Sequence, residues 1–201
     1  MKHQSDILAL KYRPKDFSDL IGQEYLVDTI QKSIQLNKIP NAYIFTGIRG
    51  VGKTTTARIV AKMLNCTAFD NSNKPDLLNC EQAKAITEDR HPDVIEIDAA
   101  SNTSVENARE IIENVKYNPV LGKYKVYIID EVHMLSKSAF NALLKTLEEP
   151  PPHSKFIFAT TEISKVPITI LSRCQRFDLR RIDKKVLSLF LETIANKENI
   201  L

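Results

Sequence analysis

The sequence predicts an α/β domain built on a mainly parallel β-sheet, and three observations carry that prediction. Short β-rich segments alternate with apolar stripes at helical spacing, the pattern of strands that cross over through helices. Three of the strand segments are almost continuously apolar, as strands covered on both faces must be. A Gly-rich octet stands between the first strand and the helix after it, the position in which such a loop meets a helix N-terminus.

Taken in order, Leu26, Ile30 and Ile34 form the first helical stripe, and Ala42–Thr46 reads as the first strand. Ala57, Val60, Ala61 and Leu64 make the next stripe, followed by an irregular stretch from Thr67 to Asn79, where Asn, Asp, Ser and Pro crowd together. Asp93–Ile97 is the second strand. Thr103-Ser104-Val105-Glu106 reads as a capping box that opens a helix with Val105, Ala108, Ile112 and Val115 on one face. Lys125–Ile129 is the third strand, and Ala139, Leu143, Leu144 and Leu147 face the sheet from a helix that Pro150-Pro151-Pro152 must stop. Lys155–Ala159 is a fourth strand and Gln175–Leu179 a fifth. A last helix carries Val186, Phe190 and Ile194 on one face and shows no C-cap glycine, so the chain is expected to be the first part of something longer.

Composition excludes several classes. The 201 residues are 43% hydrophobic and 26% charged with 5 Gly and 9 Pro, which fits a globular protein and neither a collagen-like nor a disordered one. A net charge of +3 is too mild to argue nucleic-acid binding from the total alone. Basic residues do gather late, at Arg173, Arg176, Arg180, Arg181, Lys184 and Lys185, a cluster that a solvated helix face explains more simply than DNA contact. There is no apolar run of membrane-spanning length and no secretory h-region behind Met1, so a cytoplasmic protein without membrane contact is expected. Three cysteines, Cys66, Cys80 and Cys174, do not make a disulfide framework in a chain of this size.

Chemistry concentrates where strands end. Gly47-Ile48-Arg49-Gly50-Val51-Gly52-Lys53-Thr54 fits G-x-x-x-x-G-K-[ST]. Its glycines let backbone N–H groups close around a polyphosphate at a helix N-terminus, where unpaired amides and the helix dipole favour anions. Lys53 then reaches the β- and γ-phosphates of ATP, and Thr54 holds Mg²⁺ through its hydroxyl. The third strand runs into Asp130-Glu131, at the sheet edge where open α/β folds bind ligands. Asp130 is the expected Mg²⁺-side acid and Glu131 is placed to orient or deprotonate an attacking water. Thr160 and Thr161 end the fourth strand at the same edge. From the residues alone, such a pair is more often a solvated turn, and an arginine placed like Arg173 in Ser172-Arg173-Cys174 is usually a surface charge.

Lys11-Tyr12-Arg13-Pro14, Gly22-Gln23-Glu24, the phosphate loop, Asp130-Glu131-Val132-His133-Met134-Leu135, Ala142 to Pro150 and Ser172-Arg173-Cys174 occur together and in order. In this the chain resembles the gamma/tau ATPase family of bacterial DNA polymerase III clamp loaders. The resemblance implies an AAA+ P-loop core over residues 1–180 and the start of a lid helix over 181–201. Implied too are Arg173 as an arginine finger acting on a neighbouring subunit, Thr161 as a γ-phosphate sensor, and Arg13, Pro14 and Ile21 around adenine. The function implied is an ATP-driven motor that loads a sliding clamp onto primer-template DNA in bacterial replication, alongside other loader subunits and the polymerase core. The related delta-prime subunit shares Ser-Arg-Cys but typically has a degenerate phosphate loop, so the intact loop here favours gamma/tau. The family's zinc module has four thiols, whereas only Cys66 and Cys80 match its outer positions and Lys74 and Leu77 stand at the spacing of the others. No zinc is therefore expected, and free, partly buried thiols are. A small P-loop kinase and a non-hydrolysing assembly module are the rival readings. The former lacks an Arg-rich lid here, and the latter has no use for Lys53, Thr54, Asp130 and Glu131 together.

Overall fold

A computed structural model describes residues 7–68, 75–101 and 105–200, apart from the side chains of residues 105 and 107. In chain order the elements are α1 (Leu8–Lys11), α2 (Glu24–Gln35), β1 (Ala42–Thr46), α3 (Lys53–Asn65), α4 (Glu81–Thr87), β2 (Val94–Asp98), α5 (Val105–Val115), β3 (Lys125–Asp130), α6 (Lys137–Glu148), β4 (Ser154–Thr160), α7 (Ile168–Leu171), β5 (Gln175–Asp178) and α8 (Lys184–Lys197). All five strands fall where the sequence places them, to within one residue at each end. They form a single sheet in the order β2-β3-β4-β1-β5, and every pairing is parallel.

Strand periodicity sorts the core into two layers. Tyr43, Phe45, Val126, Ile128, Ile157 and Phe177 point to one face and pack against α2, α3 and α4. Ile44, Tyr127, Ile129, Phe156 and Phe158 point to the other and pack against α5 and α6. This is why β1 and β4 are buried at every position, whereas β2, with only one strand neighbour, leaves Asp98 exposed. On α5, Ala108 and Val115 are buried as the stripe predicts, Ile111 joins them, and Ile112 is half-buried. On α6, Phe140 joins the core and Leu144 sits at its margin. Thr103 and Ser104 of the expected capping box lie outside the described residues.

Three helices end in the same way. Asn37, Asp89 and Asn199 follow α2, α4 and α8 in the left-handed region, at φ 51°, 52° and 54°. After each, the next amide reaches back one turn: Lys38 N–H to Ser33 O at 2.8 Å, Arg90 to Ala85 at 2.9 Å and Ile200 to Ala195 at 2.9 Å. These are Schellman caps built on Asn and Asp, the residues besides glycine that tolerate this conformation. The last helix thus has the cap that the sequence reading missed.

The register carries the sheet's carboxyl ends to one edge, pairing Thr46 with Thr160 and Asp98 with Asp130. The loop that feeds β3 is anchored from below. Asp93, 1% exposed, accepts the N–H groups of Val120, Leu121 and Gly122 at 2.7 Å each. Burial pushes its carboxyl pKa up, but the three amides outweigh that, and the net shift is downward. No helix among the described residues is long and apolar enough to cross a membrane.

Candidate functional site

The loop Gly47–Thr54 leaves β1 and enters α3 through backbone that side chains resist. Gly50 and Gly52 sit at φ 80° and 102°, with open space where a Cβ would stand. They are needed for conformation and leave room above the loop. Gly47 is needed for packing as well, because a Cβ there would come within 2.8 Å of the Leu179 carbonyl oxygen. Lys53, the first residue of α3, is 6% exposed and donates to the carbonyls of Gly47 and Ile48 at 3.1 Å each. Burial lowers the pKa of its ammonium, against the pull of Glu131 and Asp130.

Beside it, Thr54 Oγ1 donates to Asp130 Oδ2 at 2.5 Å, joining the start of α3 to the end of β3. Asp130 Oδ1 accepts the N–H of Glu131 at 2.9 Å. Glu131 itself is left-handed, at φ 45° and ψ 45°, which costs a non-glycine residue roughly 1–2 kcal/mol. Its Oε2 accepts from both the N–H and the hydroxyl of Thr161, at 3.1 and 2.9 Å. The first glutamate after β3 and the first threonine after β4 are thus in direct contact, although 30 residues separate them in sequence.

Lys53, Thr54, Asp130 and Glu131 line one cleft of about 390 Å³ together with Arg13, Arg49, Gly50 and Gly52. Asp98 lines it too, a residue that the sequence reading passed over by ending its strand at Ile97. The signal was available: a carboxylate at the C-terminal end of a parallel strand, as for Asp130. Arg13 also lines an adjoining cavity of about 760 Å³, and Pro14 lines that cavity but not the cleft. Ile48 is 48% exposed on the loop, and Val51 packs at the margin of the core. Ile21 is half-buried and lines neither space. Arg173 does not line the cleft of its own chain. Its guanidinium donates to Glu148 Oε1 at 2.5 Å and to Thr169 O at 2.6 Å, at the surface.

The donor set suits magnesium nucleotide. Thr54 Oγ1 and Asp130 Oδ2 are adjacent hard oxygens of the kind Mg²⁺ takes, with one or two protein ligands and the rest from phosphate and water. Soft ligands are arranged otherwise. Cys66 and Cys80 are buried free thiols, and Leu77 is buried in the same apolar cluster. Burial, with the hydrogen bond to Cys80, pushes the Cys66 thiol up to about 12. Burial also acts upward on Cys80, but hydrogen bonding from Cys66 and nearby amides leaves it lowered overall. Lys74, expected at one of the missing thiol positions, lies outside the described residues. His91 gives Nδ1 to the Asp93 N–H at 3.1 Å, and no cluster of three or more metal-binding side chains occurs among the described residues.

Residues 22–183 match the model of a family described as DNA polymerase III, delta subunit. The chain belongs to that DNA polymerase III family. It is 50% identical over 194 residues to the DNA polymerase III subunit tau/gamma of Haemophilus influenzae, covering 96% of this chain and 28% of that protein. It is also 50% identical over 190 residues to the subunit tau of Bacillus subtilis, covering 94% of this chain and 33% of that protein. The chain therefore spans about a third or less of these two relatives. Among solved structures it resembles the Thermotoga maritima RuvB Holliday junction branch migration motor, with a TM-score of 0.65 at 18% identity over 94% of this chain and 55% of that one. At that identity the likeness speaks for the fold alone, the parallel α/β core flanked by helices that the sequence predicted. Both DNA polymerase III relatives, at 50% identity, carry tau or tau/gamma in their names.

Proposed function

We propose that this chain is the nucleotide-binding domain of a clamp-loader motor, which binds Mg²⁺–ATP at the Gly47–Thr54 loop and hydrolyses it. The observation that carries the reading is the convergence of Lys53, Thr54, Asp130, Glu131 and Thr161 from three strand ends on one sheet edge. Lys53 supplies a cation for the β- and γ-phosphates, and exchanges its two loop carbonyls for them. Thr54 and Asp130 hold the metal, which when bound offsets charge on the phosphates. Glu131 orients the attacking water and accepts its proton, and Thr161 reports whether the γ-phosphate is present. Arg13 borders the nucleoside, with Pro14 in the adjoining cavity, whereas Ile21, which lines neither space, is left out of this reading. A kinase needs a pocket for an acceptor, whereas Glu131 beside Asp130 fits water as the nucleophile.

Arg173 is the part of the site that its own cleft lacks. In this reading it leaves Glu148 to enter the site of a neighbouring loader subunit, where its guanidinium offsets charge developing on the γ-phosphate. The division into an ATPase unit at residues 1–180 and a second unit starting at 181–201 agrees with α8, which buries none of its residues. The other loader subunits, the sliding clamp, primer-template DNA and the polymerase core are the partners of this reading, in the bacterial cytoplasm.

Labelled ATP tests the proposal. Free phosphate released by the assembled protein, and suppressed by Glu131→Gln with nucleotide still bound, supports it. A labelled nucleoside phosphate would make it a kinase, and binding without turnover an assembly module.

A further inference from the structure

His133 stands behind the Glu131 carboxylate, and nothing in the hydrolytic scheme above uses it. Its side chain is 6% exposed and sits among oxygen atoms. Nδ1 lies 3.0 Å from Thr160 Oγ1 and 3.4 Å from Glu131 Oε2, and Nε2 lies 3.5 Å from Glu162 Oε1. Thr160, fully buried, accepts the Glu162 N–H at 3.0 Å, which leaves its hydroxyl oxygen a second lone pair for a proton on Nδ1. A bare Nδ1 would set a lone pair against the lone pairs of Glu131 Oε2. A proton on Nδ1 removes that repulsion: it bonds Thr160 Oγ1 at 3.0 Å and faces Glu131 Oε2 at 3.4 Å as a favourable electrostatic contact. The 3₁₀ turn at Val132–Met134 fixes this placement, because it follows the left-handed Glu131 directly and returns the ring beneath the carboxylate.

We propose that His133 is a positioning residue: with Thr161 it holds Glu131 Oε2 from a second side, so that the other carboxylate oxygen is presented to the water in a fixed orientation. The proposal rests on the hydrolytic reading of Glu131. Two donors from Thr161 alone leave the carboxylate free to swing about its Cγ–Cδ bond. A third contact, from the His133 ring, restrains that motion, and small errors in such orientation are costly in rate.

The test compares three variants in the loader assembled from the full-length protein. The Asn side-chain nitrogen reaches the place of Nδ1, and the Gln nitrogen reaches that of Nε2. His133→Ala and His133→Gln should lower kcat for ATP by about tenfold or more while KM and calorimetric ATP affinity stay within about twofold. His133→Asn should recover kcat to within about threefold of the parent. A structural role would instead lower stability for all three without sorting Asn from Gln. Wild-type kcat in His133→Ala, or His133→Asn as slow as His133→Gln, overturns the proposal. A second measurement needs no turnover: the imidazole ¹⁵N resonances of His133 should move on Glu131→Ala. Unchanged resonances overturn the contact whatever the kinetics, whereas moved resonances in a protein that never hydrolyses ATP support the contact and refute the hydrolytic reading instead.

Discussion

Asp93 shows how one buried carboxylate fixes the route into the central strand. Its three amide bonds hold residues 120–122 against the sheet, and they favour the ionised form. The folded pKa is below the unfolded value of about 3.9, so the stability this group adds is present above that value and is lost as pH falls through the folded one. Urea unfolding of the wild type should therefore keep its midpoint down to about pH 5 and lose it below about pH 4. Asp93→Asn should be less stable at neutral pH by about 2–4 kcal/mol and show a shallower acid limb. Equal midpoints for the two proteins at pH 7 would contradict this assignment. Residues of this kind were invisible in the sequence, because an aspartate before a strand looks like any loop acid until the chain folds back over it. Lys53, Thr54, Asp130 and Glu131 were legible because the spacing of the loop motif and the position of the acids at a strand end state their chemistry. The hydrogen bonds from Thr161 to Glu131 and the placement of His133 were not, since they depend on contacts between separate strand ends.

Elements were legible wherever apolar periodicity was strong. All five strands follow from β-rich runs, and the stripes on α2, α3, α5 and α6 follow from helical spacing. Short helices such as α1 and α7, four residues each, have no room for a stripe and went unread. Helix ends were harder, because four of the five glycines are spent at positive φ at Gly22 and in the phosphate loop, and the helices close on Asn and Asp instead. The conformational cost of that choice is measurable. Asn37→Gly should raise stability by about 0.5 kcal/mol, whereas Asn37→Val, β-branched at φ 51°, should lower it by about 1–2 kcal/mol. Calorimetric melting checks both, and a Val variant as stable as the parent would contradict the cap.

At the scale of the whole molecule, the sheet gathers Lys53, Thr54, Asp130 and Glu131, the half of the proposed catalytic site that this chain holds, on its carboxyl edge and leaves Arg173 outside it, paired with Glu148 on the surface. Arg173→Ala should therefore leave ATP affinity within about twofold in the isolated chain and suppress turnover on the order of 10³-fold in an assembled loader with clamp and primed DNA. A subunit with a dead site but an intact finger should restore hydrolysis at a neighbour that lacks Arg173. Verified assemblies that never recover activity in any mixture would reduce Arg173 to a surface ion pair. All of this presupposes that the Gly47–Thr54 loop holds nucleotide, and calorimetric titration of the chain with Mg²⁺–ATP tests that most directly. Lys53→Ala leaves the apolar core intact and removes the buried cation, so affinity should fall at least tenfold, about 1.4 kcal/mol. Equal affinity in the wild type and Lys53→Ala, or no ATP binding by either, would contradict it.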